Sequence, residues 1–223
     1  MNYINKEYWN NFYKEQKNLN EPSIFSKHVL ENIDLSNSIL IDVGCGTGKD
    51  TFYFAKNGVF SIGIDGSKEV IKNNVEYFDT DQQKTTFYCV DLSNRDKAEQ
   101  VFSEINELAI KKKKNIVVYN RFFLHSIPEE IEDLLLDVLT KVIQVPYKFI
   151  SEFRTKEDEA LDKIYDNHYR RYVDTNKFLA KLIQLNFELI CFEKKQGFSP
   201  YKNENPFLAR MVLEKGEVEH NEK

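Results

Sequence analysis

The sequence predicts an α/β fold in which a mostly parallel sheet is covered by helices on both faces. Two observations carry this. Short apolar runs at residues 38–43, 59–64, 85–90, 115–120 and 147–152 alternate with helix-length segments, the pattern of successive strand-helix units. After residue 186, two more strand-like runs, 187–193 and 207–214, follow without room for a helix between them, which predicts an antiparallel pair at the sheet edge.

The elements follow from local chemistry. Tyr8, Trp9, Phe12 and Tyr13 share one face of a helix over residues 5–18, and Pro22-Ser23 opens a second short helix to about residue 33. A helix over 50–56 is stopped by Asn57-Gly58, and Ser67 is placed to cap one running to residue 78. Residues 96–110 read as helix. Ile131, Leu134, Leu135, Val138, Leu139 and Val142 recur at helical spacing behind Pro128, and a late helix spans 175–186. The polar stretch 215–223 is expected to fray.

With 223 residues, 41% hydrophobic and 30% charged, the chain has the composition of one soluble globular domain spanning 1–223. No apolar run approaches the roughly 20 residues that cross a bilayer, and the first residues lack a signal-peptide layout, so a cytoplasmic protein without membrane insertion is expected. Cys45, Cys89 and Cys191 are far apart, which gives no disulfide framework, and no His, Asp, Glu or Cys cluster has metal-ligand spacing, so no metal is expected. The net charge of −5 disfavours a nucleic-acid partner. Lys111 to Lys114 read as a solvated loop, and His28 and His220 as surface residues.

The most informative stretch is Asp42-Val43-Gly44-Cys45-Gly46-Thr47-Gly48-Lys49-Asp50, between the first strand and its helix. Alternate glycines let the backbone turn sharply and approach a ligand closely, at the crevice where open parallel sheets bind ligands. Asp65 follows the second strand, 21 residues beyond Gly44, where a carboxylate can accept from both hydroxyls of a ribose. Asp91 follows the third and can meet the amino edge of an adenine.

Asp42-x-Gly44-x-Gly46-x-Gly48, Asp65 and Asp91-Leu92 resemble, in order and spacing, the cofactor motifs of class I S-adenosylmethionine-dependent methyltransferases. The resemblance implies a Rossmann-like seven-stranded sheet with an antiparallel last strand, and S-adenosylmethionine as cofactor with S-adenosylhomocysteine as product. It implies that Asp42, Gly44 and Gly46 face the methionine part, Asp65 the ribose, and Asp91 and Leu92 the adenine. It also implies that the first helix, within 1–34, lies over the cofactor as a lid. Candidate cofactor contacts are therefore Trp9, Tyr13, Ser23, Asp42, Gly44, Cys45, Gly46, Asp50, Asp65, Gly66, Ser67, Asp91, Leu92 and Asn120. A dinucleotide fold would show Gly-x-Gly-x-x-Gly instead, which disfavours a nicotinamide-dependent oxidoreductase.

A narrower likeness rests on Tyr8-Trp9-x-x-Phe12-Tyr13, Pro22-Ser23-x-Phe25, residues 119–125 and His168-Tyr169-Arg170-Arg171. These resemble bacterial small-molecule methyltransferases related to the tellurite and thiopurine enzymes, including members of capsule and surface-polysaccharide gene clusters.

Methyl transfer from a sulfonium removes opposite charges from both reactants, so a cation beside an attacking oxyanion would slow it. Arginines here should hold a remote anionic part of the acceptor. Arg121 and His125 follow the fourth strand, Arg121 as a positioning residue and His125 as a candidate base, with His168 the other candidate. Glu152, Arg154, Tyr169, Arg170 and Arg171 are the further candidates for substrate contacts. The expected acceptor is small and anionic or sugar-linked. Two rivals remain at this level: a protein that binds the cofactor without turnover, and a nucleic-acid methyltransferase. The second would carry Asn/Asp-Pro-Pro-aromatic where this chain has Asn120-Arg121-Phe122.

Overall fold

A computed structural model describes residues 8, 21–78, 85–161, 163 and 169–216. Among them, seven strands form one sheet in the order β3-β2-β1-β4-β5-β7-β6, with β1 Ser38–Val43, β2 Phe60–Asp65, β3 Thr85–Cys89, β4 Asn115–Arg121, β5 Tyr147–Arg154, β6 Glu188–Lys195 and β7 Leu208–Lys215. Strands β1 to β5 pair in parallel, while β7 runs antiparallel to both β5 and β6. The antiparallel last strand is thus the one inserted between β5 and β6.

The described helices are α1 Ile24–Asn32, α2 Lys49–Lys56, α3 Lys68–Phe78, α4 Arg95–Lys112, α5 Glu129–Val142 and α6 Thr175–Gln184. Alternation of side chains along the strands divides the core between the two faces. Ile39, Ile41, Ile116, Val118, Phe149 and Phe153 pack under α4, α5 and α6, whereas Leu40, Val117, Tyr119 and Ile150 pack under α1 and α2 with Phe25 and Phe54. Every residue of β1 is buried, as a central strand covered on both sides requires.

Side-chain caps start several of the helices. Ser23 accepts from the Ser26 N–H, Asn94 from Lys97 and Asp174 from Asn176 and Lys177. The lysine run is not a loop: Lys111 and Lys112 complete the last turn of α4, where cations suit the helix dipole, and Lys113 closes it in the left-handed conformation at φ 54°. The expected helix over 5–18, with Trp9, Phe12 and Tyr13, lies outside the described residues apart from Tyr8, as do His168 and the tail 217–223.

Candidate functional site

The carboxyl ends of β1, β2 and β3 are hydrogen-bonded into one rim. Gly44, Gly46 and Gly48 all have positive φ, at 74°, 52° and 71°, so the loop after β1 folds back on β2. The Gly44 and Cys45 N–H groups donate to the Ile64 carbonyl at 2.8 and 3.0 Å. Gly46 N–H donates to Asp65 Oδ2 at 3.0 Å, and Ser67 N–H to Asp65 Oδ1 at 2.8 Å. The Val90 N–H donates to the Asp65 carbonyl at 2.9 Å, which joins the β3 tip to the β2 tip. Asp91 Oδ1 accepts both the N–H and the hydroxyl of Ser93, at 3.1 and 2.7 Å, and Leu92 beside it is buried.

Asn74 on α3 locks this loop by donating to the Gly46 carbonyl at 2.8 Å. A side chain could not be added to the loop cheaply: a Cβ at Gly44 would collide with the ring of Phe123, and one at Gly48 with Phe87 and Asn74. Asn74 and Phe87 carry no motif of their own, and neither they nor Phe123, which lies in the 119–125 stretch, were expected from sequence as contacts of this loop.

The loop surrounds a concentration of buried acid. Burial, followed by the nearby Asp50 and Asp65 charges, pushes the Asp42 carboxyl up to about 8, against the hydrogen bond from Thr51 Oγ1 at 2.6 Å. Burial also raises Asp65, opposed by the backbone N–H groups of Ser67, Gly46 and Gly66. The Cys45 thiol is raised well above its ordinary value by burial and by Asp65 and Asp42, which makes it a packing group rather than a nucleophile.

Asp50 and Ser23 have partners within the protein. Asp50 accepts from the Ser23 N–H and hydroxyl, both at 2.7 Å, from Ser26 Oγ at 3.0 Å and from the Tyr119 hydroxyl at 2.9 Å. This bond set fastens the start of α1 to α2 and β4.

On the acceptor side, the Asn120 side chain is fully buried, and Ser151 Oγ donates to its Oδ1 at 2.6 Å. That bond fixes the amide, leaving Nδ2 with no partner among the described residues. One strand register over, Arg121, Glu152 and Arg210 form a cross-strand row. Glu152, fully buried, accepts from Arg121 Nε at 3.1 Å, Arg210 Nε at 2.7 Å and Ser199 Oγ at 2.9 Å. The row is sandwiched by rings: Arg121 lies over Phe122 at 4.1 Å and Arg210 over Phe198 at 4.2 Å. Phe122 holds φ 55°, an uncommon conformation for a bulky residue, in the turn that presents Arg121.

Other expected substrate contacts are committed elsewhere. Arg154 is buried and pairs with Asp158 at 2.6 Å and with Glu204. Arg171 pairs with Glu132 and donates to the Leu124 carbonyl at 3.1 Å. The buried His125 ring accepts at Nδ1 from the Arg154 N–H at 3.1 Å. A neutral imidazole so bonded carries its proton on Nε2 and has no lone pair left to take another. His125 is therefore a structural acceptor in this arrangement. Tyr169 and Arg170 are half-buried, and Arg170 lies close enough to Tyr8 for its charge to act on the phenol.

The fold is that of class I S-adenosylmethionine-dependent methyltransferases. Residues 40–135, from β1 into α5, match the family model described as a methyltransferase domain. An S-adenosylmethionine-dependent methyltransferase from Anabaena variabilis is similar with a TM-score of 0.69 and 17% identity, covering 96% of this chain and 95% of that one. The magnesium protoporphyrin IX methyltransferase of Synechocystis with bound S-adenosylhomocysteine gives a TM-score of 0.57 and 13% identity over 95% and 87%. A glycopeptide N-methyltransferase complexed with S-adenosylmethionine gives 0.60 and 10% over 87% and 94%. At these identities the likeness concerns the fold. A comparison with curated proteins finds no match. Among the described residues, no helix is long and apolar enough to cross a membrane, and no cluster of three or more His, Cys, Asp or Glu could hold a metal ion.

Proposed function

We propose that this chain is an S-adenosylmethionine-dependent methyltransferase that methylates an oxygen of a small anionic or sugar-linked acceptor, such as a precursor of a capsule or surface polysaccharide. The observation that carries the reading is the rim of three strand tips, which presents the glycine loop, Asp65 and Asp91 side by side.

The residues fit the cofactor. A carboxylate offers about four acceptor positions. Asp65 accepts from Gly46 and Ser67, one on each oxygen, and the Gly66 N–H also bears on it, which leaves capacity for a ribose hydroxyl. The glycine loop has no side chain to obstruct the methionine part, Asp42 lies beneath it, and the Asn120 amide is a fixed donor at the tip of β4. When bound, S-adenosylmethionine supplies a sulfonium methyl group for in-line displacement. The chain contributes positioning, which can supply on the order of 7 to 11 kcal/mol of barrier reduction. Arg121 orients the acceptor from a distance. With His125 committed, the acceptor arrives as an oxyanion, or gives its proton to His168.

The test is calorimetric titration of the full chain with S-adenosylmethionine, S-adenosylhomocysteine and NADH. Micromolar binding of both sulfur compounds and none of NADH is expected. Binding of NADH, or of none of the three to folded protein, would overturn the reading.

A further inference from the structure

Two cations beside the glycine loop keep N–H donors that have no hydrogen-bond partner among the described residues. Arg121 gives its Nε to Glu152 and its face to Phe122, but its two Nη groups have no hydrogen-bond partner among the described residues, and its side chain is 21% exposed. Lys49 opens α2 directly after Gly48, is half-buried, and has no hydrogen bond or ion pair among the described residues.

The two flank a single link. Asp50, next to Lys49, accepts from the Tyr119 hydroxyl at 2.9 Å, and Tyr119 precedes Arg121 by two residues on the same face of β4. Lys49 and Arg121 therefore sit on the same side of the sheet, at the carboxyl ends of the adjacent strands β1 and β4. Burial and then the Arg121 charge hold the Lys49 ammonium below its ordinary range, so the two positive charges act on each other.

The nearby carboxylates offset these charges only in part: Asp50 and Glu21 act on Lys49 without bonding to it, and Glu152 bonds to Arg121 through Nε alone. Asp50 is filled by Ser23, Ser26 and Tyr119, and Glu152 is shared with Arg210 and Ser199. Glu21, also close to Lys49, has an 86% exposed side chain and pairs with Lys27 at 3.7 Å. A partly buried cation with N–H donors left without partners costs stability, and two such cations together cost more through repulsion. A ligand anion between them offsets that cost. Glu152 and Phe122 hold the Arg121 guanidinium by its Nε edge and its face, which leaves the Nη edge to receive two oxygens.

We propose that Lys49 and Arg121 form the acceptor's anion subsite, taking a carboxylate or phosphate oxyanion of the substrate. This rests on the methyltransferase reading and narrows it: the acceptor carries an oxyanion distinct from the oxygen that is methylated. Glu152 is a positioning residue here, acting through Arg121.

The experiment follows labelling of Lys49 by an N-hydroxysuccinimide ester, read by peptide mass spectrometry, at constant ionic strength with inorganic phosphate or acetate added. It is run on the protein alone and with S-adenosylhomocysteine. Saturable protection of Lys49, but not of exposed Lys56 at the other end of α2, is expected. The anion with the lower midpoint names the acceptor's group. In Arg121→Gln the midpoint should rise about tenfold or more. Calorimetry on Lys49→Gln and Arg121→Gln should give S-adenosylhomocysteine affinities within about threefold of wild type. No saturable protection, or an unchanged midpoint in Arg121→Gln, overturns the subsite. So does loss of S-adenosylhomocysteine binding in both variants, which would assign the pair to the cofactor's own carboxylate. If wild type binds no S-adenosylhomocysteine, the methyltransferase reading fails instead, and protection in the protein alone still decides the subsite.

Discussion

The Gly46 N–H donates to the Asp65 carboxylate at 3.0 Å, so the tip of β2 holds the loop that leaves β1. One side chain thus shapes the glycine loop, and any ligand that bonds to Asp65 bears on the geometry of that loop.

Asp65→Ala removes both contributions. One charge-assisted hydrogen bond at about 1.5 to 3 kcal/mol, lost together with the bond that shapes the loop, implies a loss of about tenfold or more in S-adenosylhomocysteine affinity. Calorimetry on a variant with wild-type circular dichroism checks it. An unchanged affinity would show that Asp65 serves the loop alone.

Gly44→Ala meets two penalties at once, a left-handed φ of 74° and the Phe123 ring. The backbone part is about 1 to 2 kcal/mol, and the collision brings the expected loss to about 2 kcal/mol or more in urea unfolding. Adding Phe123→Ala removes the collision, so the double variant should lose less than the two single losses combined, by about 1 kcal/mol. Additive losses would mean the ring is not the obstacle.

Asp42 gives a pH signature. Its carboxyl titrates near 4 in the unfolded chain and at about 8 in the folded one, so the folded state binds the extra proton between those values. The contribution of this group to stability is fully present below about pH 4 and is lost progressively as pH rises through 8. Asp42→Asn does not titrate and can still accept from Thr51. The melting temperature of Asp42→Asn should pull ahead of wild type as pH rises from about 4, with the gap levelling near 8. A gap independent of pH would contradict the raised value.

Asp158 is fully buried and accepts from Arg154 Nη1 at 2.6 Å and the Phe207 N–H at 2.8 Å, with Lys163 at 3.5 Å. Asp158→Ala leaves Lys163 without its carboxylate and Arg154 with Glu204 alone, and should cost about 3 to 5 kcal/mol, with Asp158→Asn milder. A loss under about 1 kcal/mol in chemical denaturation would return Arg154 to the acceptor side.

The sequence by itself determined the layers and the crevice. Apolar runs of strand length separated by helical spacing specify a covered parallel sheet, and the glycines at 44, 46 and 48 have the positive φ that their residue type allows. The edge hairpin was legible too, because the 13 residues between the two apolar runs barely reach the dozen or so that a crossover needs. These features are local, so short windows encode them. The tertiary structure decided which charges are free. Arg154 finds Glu204 across 50 positions, His125 receives the Arg154 N–H across 29, and Asp50 meets Tyr119 across 69. Each pairing depends on strand register and on which face of the sheet a side chain takes. An arginine whose guanidinium is paired at both Nη groups therefore reads the same in sequence as one that keeps them without partners among the described residues, and only packing separates Arg154 from Arg121.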